Sequence, residues 1–421
     1  MTTGTLVHEG ASGLDPRASA IWRVDRMSGE EILISGPADY VSALVLVADG
    51  GRSAGIVTTA PTPAPLCAPQ VMTLPEAPAR PWVEGGGVRT SATVVICTTG
   101  RCELLADAVR AVLAQDHADF DVVVVDNAPA TGLTRTALNG IDDQRLTIVD
   151  EPEPGLSRAR NRGVSAARGE IIAFTDDDAR VDSHWLTALI DPILAHRLVG
   201  GATGIALPSQ LSFAPQRWFE SRGGFPKSTS VQLWYTGEPE SALAELGSRV
   251  EGGPLYPMTT ARVGAGVCMA FRRSALDEIG PFDDALGAGT PTRGGEDLDL
   301  FARMLAAGYA IIHTPDAVVF HRHRVDLAGL ETQIRGNGSG MAALLTKSVI
   351  TRPANLLSLA GRVPRVLMRI RPGSQRTAGA DEDVPASLTR NEVKGFLEGP
   401  LLYARAVRAA RRRPATPPRG A

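Results

Sequence analysis

The sequence predicts an α/β protein built on a doubly wound, mostly parallel sheet, with a small β unit ahead of it and a helical region behind it. Three observations predict this. From about residue 91, short apolar runs alternate with segments of helical periodicity, the pattern of parallel strands covered on both faces by helices. Residues 1–58 instead hold only short runs rich in Val, Ile and Leu, and residues 326–371 carry helical periodicity without strands. A chain of 421 residues buries a core large enough for more than one structural unit.

In the N-terminal unit, "EEILISG" and "YVSALVLVADGGRSAGIVTTA" read as strands, with Asp49-Gly50-Gly51 as a turn. Residues 59–90 follow, with seven prolines between Pro61 and Pro81. Proline fixes φ and donates no amide hydrogen, so this is an extended linker or a strap across a surface. "ATVVIC" (92–97) is a buried strand and "CELLADAVRAVLA" (102–114) a helix. "FDVVVVD" (120–126) and "RLTIVD" (145–150) are strands, "LSRARNRGVSAA" (156–167) a helix, and "GEIIAFT" (169–175) a strand. That strand ends at Asp176-Asp177-Asp178, and "DSHWLTALIDPILAH" (182–196) is a helix with Asp182 or Ser183 as N-cap. Residues 208–257 interrupt the alternation and hold seven of the chain's 20 aromatic residues. They form either a small core of their own or a platform, since flat rings pack on sugar faces and on lipid. Strand "GVCMAFRR", helix "EDLDLFARMLAAG" (296–308) and strands around "YAIIHT" and "AVVFHRH" complete the alternation. Residues 372–421 read as a flexible linker and a basic amphipathic tail, with eight Arg or Lys from Thr389 onward against Glu392 and Glu398.

Composition excludes several classes. Cys67, Cys97, Cys102 and Cys268 lack paired metal-ligand spacing and make a disulfide framework improbable, so a reducing cytoplasm is expected. The N-terminus lacks the charged and apolar regions of a signal peptide, and no apolar run is long enough to span a bilayer. A net charge of −3 does not point to nucleic acid. "RVPRVLMRIRP" and "LLYARAVRAARRRP" mix Arg with apolar residues, which suits an anionic membrane surface; a solvated tail or a docked helix remains open.

Like charges repel, so three adjacent carboxylates need a reason. They stand at the carboxyl end of a strand, where ligands bind in open α/β sheets. A hard divalent cation between them and a diphosphate removes the repulsion. "GGED" with Glu296 and Asp297, and His321 with His323, stand at the ends of later elements.

Together "TVVICTTGRCELL", "VVVVDNAP", "EPGLSRARNRG", "IIAFTDDDA" and "GGEDLDLFARMLAAGY" resemble the inverting family-2 glycosyltransferases of GT-A fold, over residues 91–325. The resemblance implies a sheet of GT-A type, with 208–257 as an acceptor-side insertion. It also implies transfer of a sugar from a nucleotide-diphosphate donor, UDP-type favoured, to a hydroxyl acceptor, possibly lipid-linked, with Mn2+ or Mg2+. Thr98, Thr99 and Arg101 would line the nucleotide pocket, although Cys97 and Thr99-Gly100 replace the family's usual Pro and aromatic-Asn pair. Asp126 would bind the base, and Gly155 with Arg158, and less so Arg162, the phosphates. Asp176 and Asp177 would contact the nucleotide sugar, with Asp177 the freest to serve locally. Asp178 would bind the metal directly, Asp176 would touch the ribose side or reach the metal through water, and His321 would be a further ligand, with His323 its rival. Asp297 would be the general base and Glu296 an acceptor ligand, the two roles being exchangeable. Acids at a helix's first turn also occur for the dipole alone. A nucleotidyltransferase, or a non-catalytic binding subunit of the same fold, are the alternatives. Against the first stands the Gly-poor loop "CTTGRCE", and against the second the presence of Asp176, Asp178, Glu296 and Asp297.

Overall fold

The computed structural model describes residues 13–37, 39–86, 90–370 and 383–411, with the backbone alone over 363–370. Strands β1 (Ser19–Asp25), β2 (Glu30–Ser35), β3 (Ser42–Asp49) and β4 (Arg52–Thr59) form a sheet in the order β2-β1-β3-β4. The main sheet follows: β5 (Ala92–Thr98), β6 (Phe120–Asp126), β7 (Leu146–Asp150), β8 (Ile171–Asp176), β9 (Ala179–Val181), β10 (Val199–Pro208), β11 (Gln232–Trp234), β12 (Ser248–Arg249), β13 (Met269–Arg272) and β14 (Ala310–His321). Its order is β12-β11-β14-β10-β13-β8-β5-β6-β7, with β9 paired to β14 off this path. The pairs among β8, β5, β6 and β7 are parallel, as is β10 with β14, while β13 runs antiparallel to both neighbours.

Alternation along the strands builds both faces. Val94, Ile96, Val122 and Val124 pack with helices Leu105–Leu113 and Trp185–Leu194. Their neighbours Val95, Val123 and Val125 pack on the opposite face with Leu156–Ala166 and Glu296–Ala306. The N-terminal sheet lays Ile21 and Leu46 on Ile205, Leu207, Val318 and Phe320, so it covers the main sheet beside β10 and β14. Its other face is closed by Val71 and Leu74 from the Pro-rich segment, which runs as a strap. That strap ends in a buried ion pair from Arg80 to Asp316 of β14.

Two sequence expectations change. The strands around "YAIIHT" and "AVVFHRH" are one element, β14, whose register against β10 shifts between Thr203 and Ile205. Pro315 lies in this break, where no ladder donor is needed, and Gly204 lets Ala317 approach closely. The helix expected from Asp182 begins at Trp185 with His184 as N-cap and no side-chain cap. Asp182 is turned instead to Arg23 of β1, 2.6 Å away.

The C-terminal region is helical over Leu327–Thr351, Asn355–Ile370 and Ala386–Ala410. Residues 386–410 are docked rather than trailing, while residues 371–382 and 412–421 of the expected linker and tail lie outside the described residues. Glycines permit the close approach: a Cβ on Gly395 would sit 2.1 Å from Arg335 O, and one on Gly338 2.2 Å from Glu392 O. The Leu327–Thr351 helix also backs the loop before Glu296. Ser339 Oγ donates to Thr292 O at 2.7 Å, and a Cβ on Gly295 (φ +92°) would meet Gly340 O at 2.8 Å. Among the described residues no helix is long and apolar enough to cross a membrane.

Helical glycines in open and closed surroundings separate propensity from packing. Gly361→Ala, with open space around it, gains up to about 1 kcal/mol of helix propensity. Gly395→Ala meets backbone and lowers the thermal midpoint, so the two variants shift in opposite directions in a melting experiment.

Candidate active site

Strand register gathers the polar groups at one sheet edge. Thr98 of β5 lies opposite Asp126 of β6, and Cys97 opposite Asp176 of β8. The chain then turns through Asp177 and Asp178 into β9, which pairs antiparallel with the end of β14, Ala179 facing His321. Arg322 N donates to Asp178 O at 3.0 Å. Two strands distant in sequence thereby deliver Asp178 to His321, with Asp178 Oδ1 3.3 Å from His321 Nε2. One ligand atom each from Asp176, Asp178 and His321 lies within 4.8 Å of the others.

His323 does not share this role. Its Nε2 lies 2.8 Å from Glu220 Oε1, and its Nδ1 3.2 Å from Nδ1 of His321. Asp177 serves locally: Thr98 Oγ1 donates to its carboxylate and accepts from Gly100 N. Burial pushes the Asp177 carboxyl up to about 7, with the neighbouring acids adding to the shift. Burial works to raise Asp178 too, but the charge and hydrogen bond of His321 outweigh it and leave the carboxyl below its usual range.

Facing the carboxylate turn is the N-terminus of helix Glu296–Ala306. Asp297 Oδ2 accepts from Gly266 N at 2.9 Å and Oδ1 from Leu298 N at 2.8 Å, and the side chain stays half-buried. Glu296 is buried, with Oε1 2.8 Å from Arg160 Nη1. Burial, reinforced by Asp297, raises its carboxyl to about 7 against the pull of Arg160.

Arg160 was not singled out by the sequence. It is 2 % exposed and spans the site, with Nη2 3.5 Å from Asp176 Oδ1 and 3.4 Å from Gly266 O. Burial acts to lower its pKa, yet Glu296 and Asp176 hold it above its usual value. In the folded helix Gly163, three positions on, faces Val95 so closely that a Cβ there would lie 2.3 Å from it. Position 160 therefore faces inward as well.

The other expected residues are placed as follows. Gly155 (φ +140°) precedes helix Leu156–Ala166, and its amide is held 3.0 Å from Asn127 Oδ1. Arg158 is buried and paired with Asp284 at 2.9 Å, and Arg162 Nε reaches Asp150 O at 3.3 Å. Arg158 is thus not presented as a bare cation for phosphate. Asp126 is fully buried, accepting from Ala128 N at 3.1 Å and from Arg135 at 3.4 Å. Thr99 and Arg101 are exposed on the loop after β5. The aromatic segment 208–257 sends Phe219 and Phe225 against His323, at ring-centroid distances of 4.8 and 5.9 Å.

Arg160→Met tests the bridge. Without the guanidinium the folded-state carboxyl of Glu296 rises further above about 7, so holding it ionised costs more. At pH 5.5 the group is protonated in both proteins. The stability deficit of the variant therefore widens as pH rises through about 7, measured as the midpoint difference at pH 5.5 and 8.

Comparison with known proteins now has a geometry to rest on. The family model "Glycosyl transferase family 2" matches residues 93–280, which include the Asp176–Asp178 turn and Arg160 and stop before Glu296 and His321. The succinoglycan biosynthesis protein ExoM of Rhizobium meliloti is 29% identical over 279 residues, covering 63% of this chain and 79% of that protein. The pre-mycofactocin glycosyltransferase of Mycobacterium tuberculosis is 25% identical over 292 residues, covering 62% of this chain and 55% of its own length, so the chain spans only about half of that relative. A mannosyltransferase, PcManGT from Pyrobaculum calidifontis, in complex with GDP-Man and Mn2+, is 19% identical, with a TM-score of 0.44 over 82% of this chain and 80% of its own. The family match displaces the nucleotidyltransferase alternative. Residues 93–280 are a glycosyl transferase family 2 domain, and the chain is a glycosyltransferase.

Proposed function

We propose that the chain transfers a sugar from a nucleoside-diphosphate donor to a hydroxyl acceptor with inversion, dependent on Mn2+ or Mg2+. The observation that carries this reading is the convergence of Asp176, Asp178 and His321 opposite Asp297. Two carboxylates and one imidazole fit Mn2+, and the carboxylates fit Mg2+. When bound, the cation supplies positive charge to the departing diphosphate.

The chain's own groups do the rest. Asp297, fixed by two backbone amides, takes the proton from the acceptor hydroxyl. The acceptor oxygen bonds to the anomeric carbon as the carbon–phosphate oxygen bond breaks, and the diphosphate leaves with the electron pair. One such displacement inverts the carbon. Glu296, neutral in part near pH 7 and held by Arg160, lies beside Asp297 to receive a second acceptor hydroxyl. A UDP sugar is the favoured donor: Gly155 and the exposed Thr99 and Arg101 border the edge where β6 ends, and the buried Asp126 there would accept from a uracil imide once Arg135 swings away.

A lipid-linked acceptor at the inner face of a cell membrane is the reading supported by helix Ala386–Ala410. Its two acids turn inward, Glu392 to Arg222 and Glu398 to Arg335. Outward it presents Val393, Phe396, Leu397 and Leu401 beside Arg390, Lys394, Arg405, Arg408 and Arg411. A face of exposed apolar residues and exposed cations suits anionic headgroups, each nearby cation contributing about 1 kcal/mol.

Three measurements check this reading. Donor turnover requires added Mn2+ or Mg2+ and is abolished in Asp178→Ala. Asp297→Asn lowers kcat by about a hundred- to ten-thousandfold while Mn2+ binding persists; unchanged turnover removes Asp297 as the base. The protein co-sediments with vesicles containing anionic lipid and not with zwitterionic ones, and Leu397→Glu weakens that binding without changing hydrolysis of the soluble donor.

A further inference from the structure

Nothing in the reaction just described uses Glu220, yet it is the far end of a chain of contacts that reaches the proposed metal site. Glu220 lies on helix Ala214–Ser221, in the aromatic segment, and its carboxylate meets Lys227 Nζ at 2.7 Å and His323 Nε2 at 2.8 Å. The His323 ring is buried against Phe219 and Phe225, and its Nδ1 lies 3.2 Å from Nδ1 of His321. The opposite nitrogen of His321, Nε2, faces Asp178.

Counting protons along this chain leaves two arrangements. A carboxylate accepts only, so His323 Nε2 carries a hydrogen. Two facing Nδ1 atoms share one hydrogen. If His323 held it, His323 would be an imidazolium in an aromatic, buried setting beside Lys227, whose charge already balances Glu220. His321 would then carry its hydrogen on Nε2 and could not bind a cation there. If His321 holds it, His323 is neutral, and a cation can take the place of the Nε2 hydrogen that otherwise points at Asp178.

We propose that Glu220 and His323 are positioning residues: through Glu220–His323–His321 they fix the His321 hydrogen on Nδ1 and aim Nε2 at the cation. The inference rests on the metal-dependent reading above and extends it to the aromatic segment, which thereby sets the geometry of a ligand it does not contain. Orienting partners of this kind alter metal affinity by about 10- to 100-fold when removed.

The test is Mn2+ affinity of the full-length protein, read as free Mn2+ by electron paramagnetic resonance, for wild type, Glu220→Leu and Glu220→Gln. Glu220→Leu is expected to bind Mn2+ about 10- to 100-fold more weakly, with the Mn2+ concentration for half-maximal turnover rising alongside. Glu220→Gln keeps an acceptor oxygen for His323 Nε2 and is expected to recover most of the affinity. A folded Glu220→Leu protein with wild-type affinity overturns the proposal, as does a Gln variant as weak as Leu. If the Leu variant fails to fold, 15N spectra of the wild-type imidazoles above the His321 titration decide: a hydrogen on Nδ1 supports the relay, and one on Nε2 overturns it. A wild-type protein that binds no Mn2+ overturns the metal-dependent reading itself, whereas loss of the Glu220 effect alone leaves that reading standing.

Discussion

A short antiparallel pairing, Ala179–Val181 of β9 against the end of β14, is the contact on which the site depends. It is local in extent and long-range in sequence, and it turns a run of three acids from a solvated bend into one wall of a site. Register matters here as much as contact. Slipping the pairing by one residue would send Asp178 and His321 to opposite faces, because side chains alternate along a strand. The surrounding structure guards that register: Phe320 is packed under the N-terminal sheet, and Asp316 is anchored by Arg80 and by the amide of Ser53. The N-terminal unit and the Pro-rich strap thus act as braces on the strand that ends in His321.

Gathering this many carboxylates sets an electrostatic problem that the fold solves unevenly. Asp178 has His321 beside it and stays ionised, whereas Asp177 and Glu296 are raised to about 7 by burial among like charges. Arg160 is the fixed countercharge, lying between Asp176 and Glu296 and over the ring of Phe282. Arg160, with Arg324 acting on Asp178 from nearby, is outnumbered by these acids, which leaves the pocket short of positive charge. Such a pocket is suited to a metal ion and poorly suited to remaining empty at alkaline pH.

Much of this was legible in the residues. Alternating apolar runs gave the strands from β5 to β8 and the helices between them, and the position of Asp176 at a strand's carboxyl end followed from that order. What could not be read was partner choice. Arg158 and Arg162 looked as available for phosphate as any arginine, because nothing local reveals that Asp284 from a loop over 120 residues away takes Arg158. Arg160 was passed over for the same reason, its partner Glu296 being equally distant. His321 and His323 were separable only once Glu220 was seen beside the second. The tail read as basic and amphipathic, but only packing showed which of its faces is spoken for, through Gly395 and Gly399.

The backing of the Glu296 loop has a consequence for how the molecule matures. Ala285 and Leu286 share a cluster with Ala343, Tyr403 and Ala406, so this loop leans on the Leu327–Thr351 helix and on the helix docked against it. During synthesis the sheet can close around its valines well before Tyr403 leaves the ribosome. The Glu296–Asp297 side of the pocket is therefore the last part to gain its support. A nascent chain in that interval holds the Asp176–Asp178 turn opposite a loop that still lacks its backing.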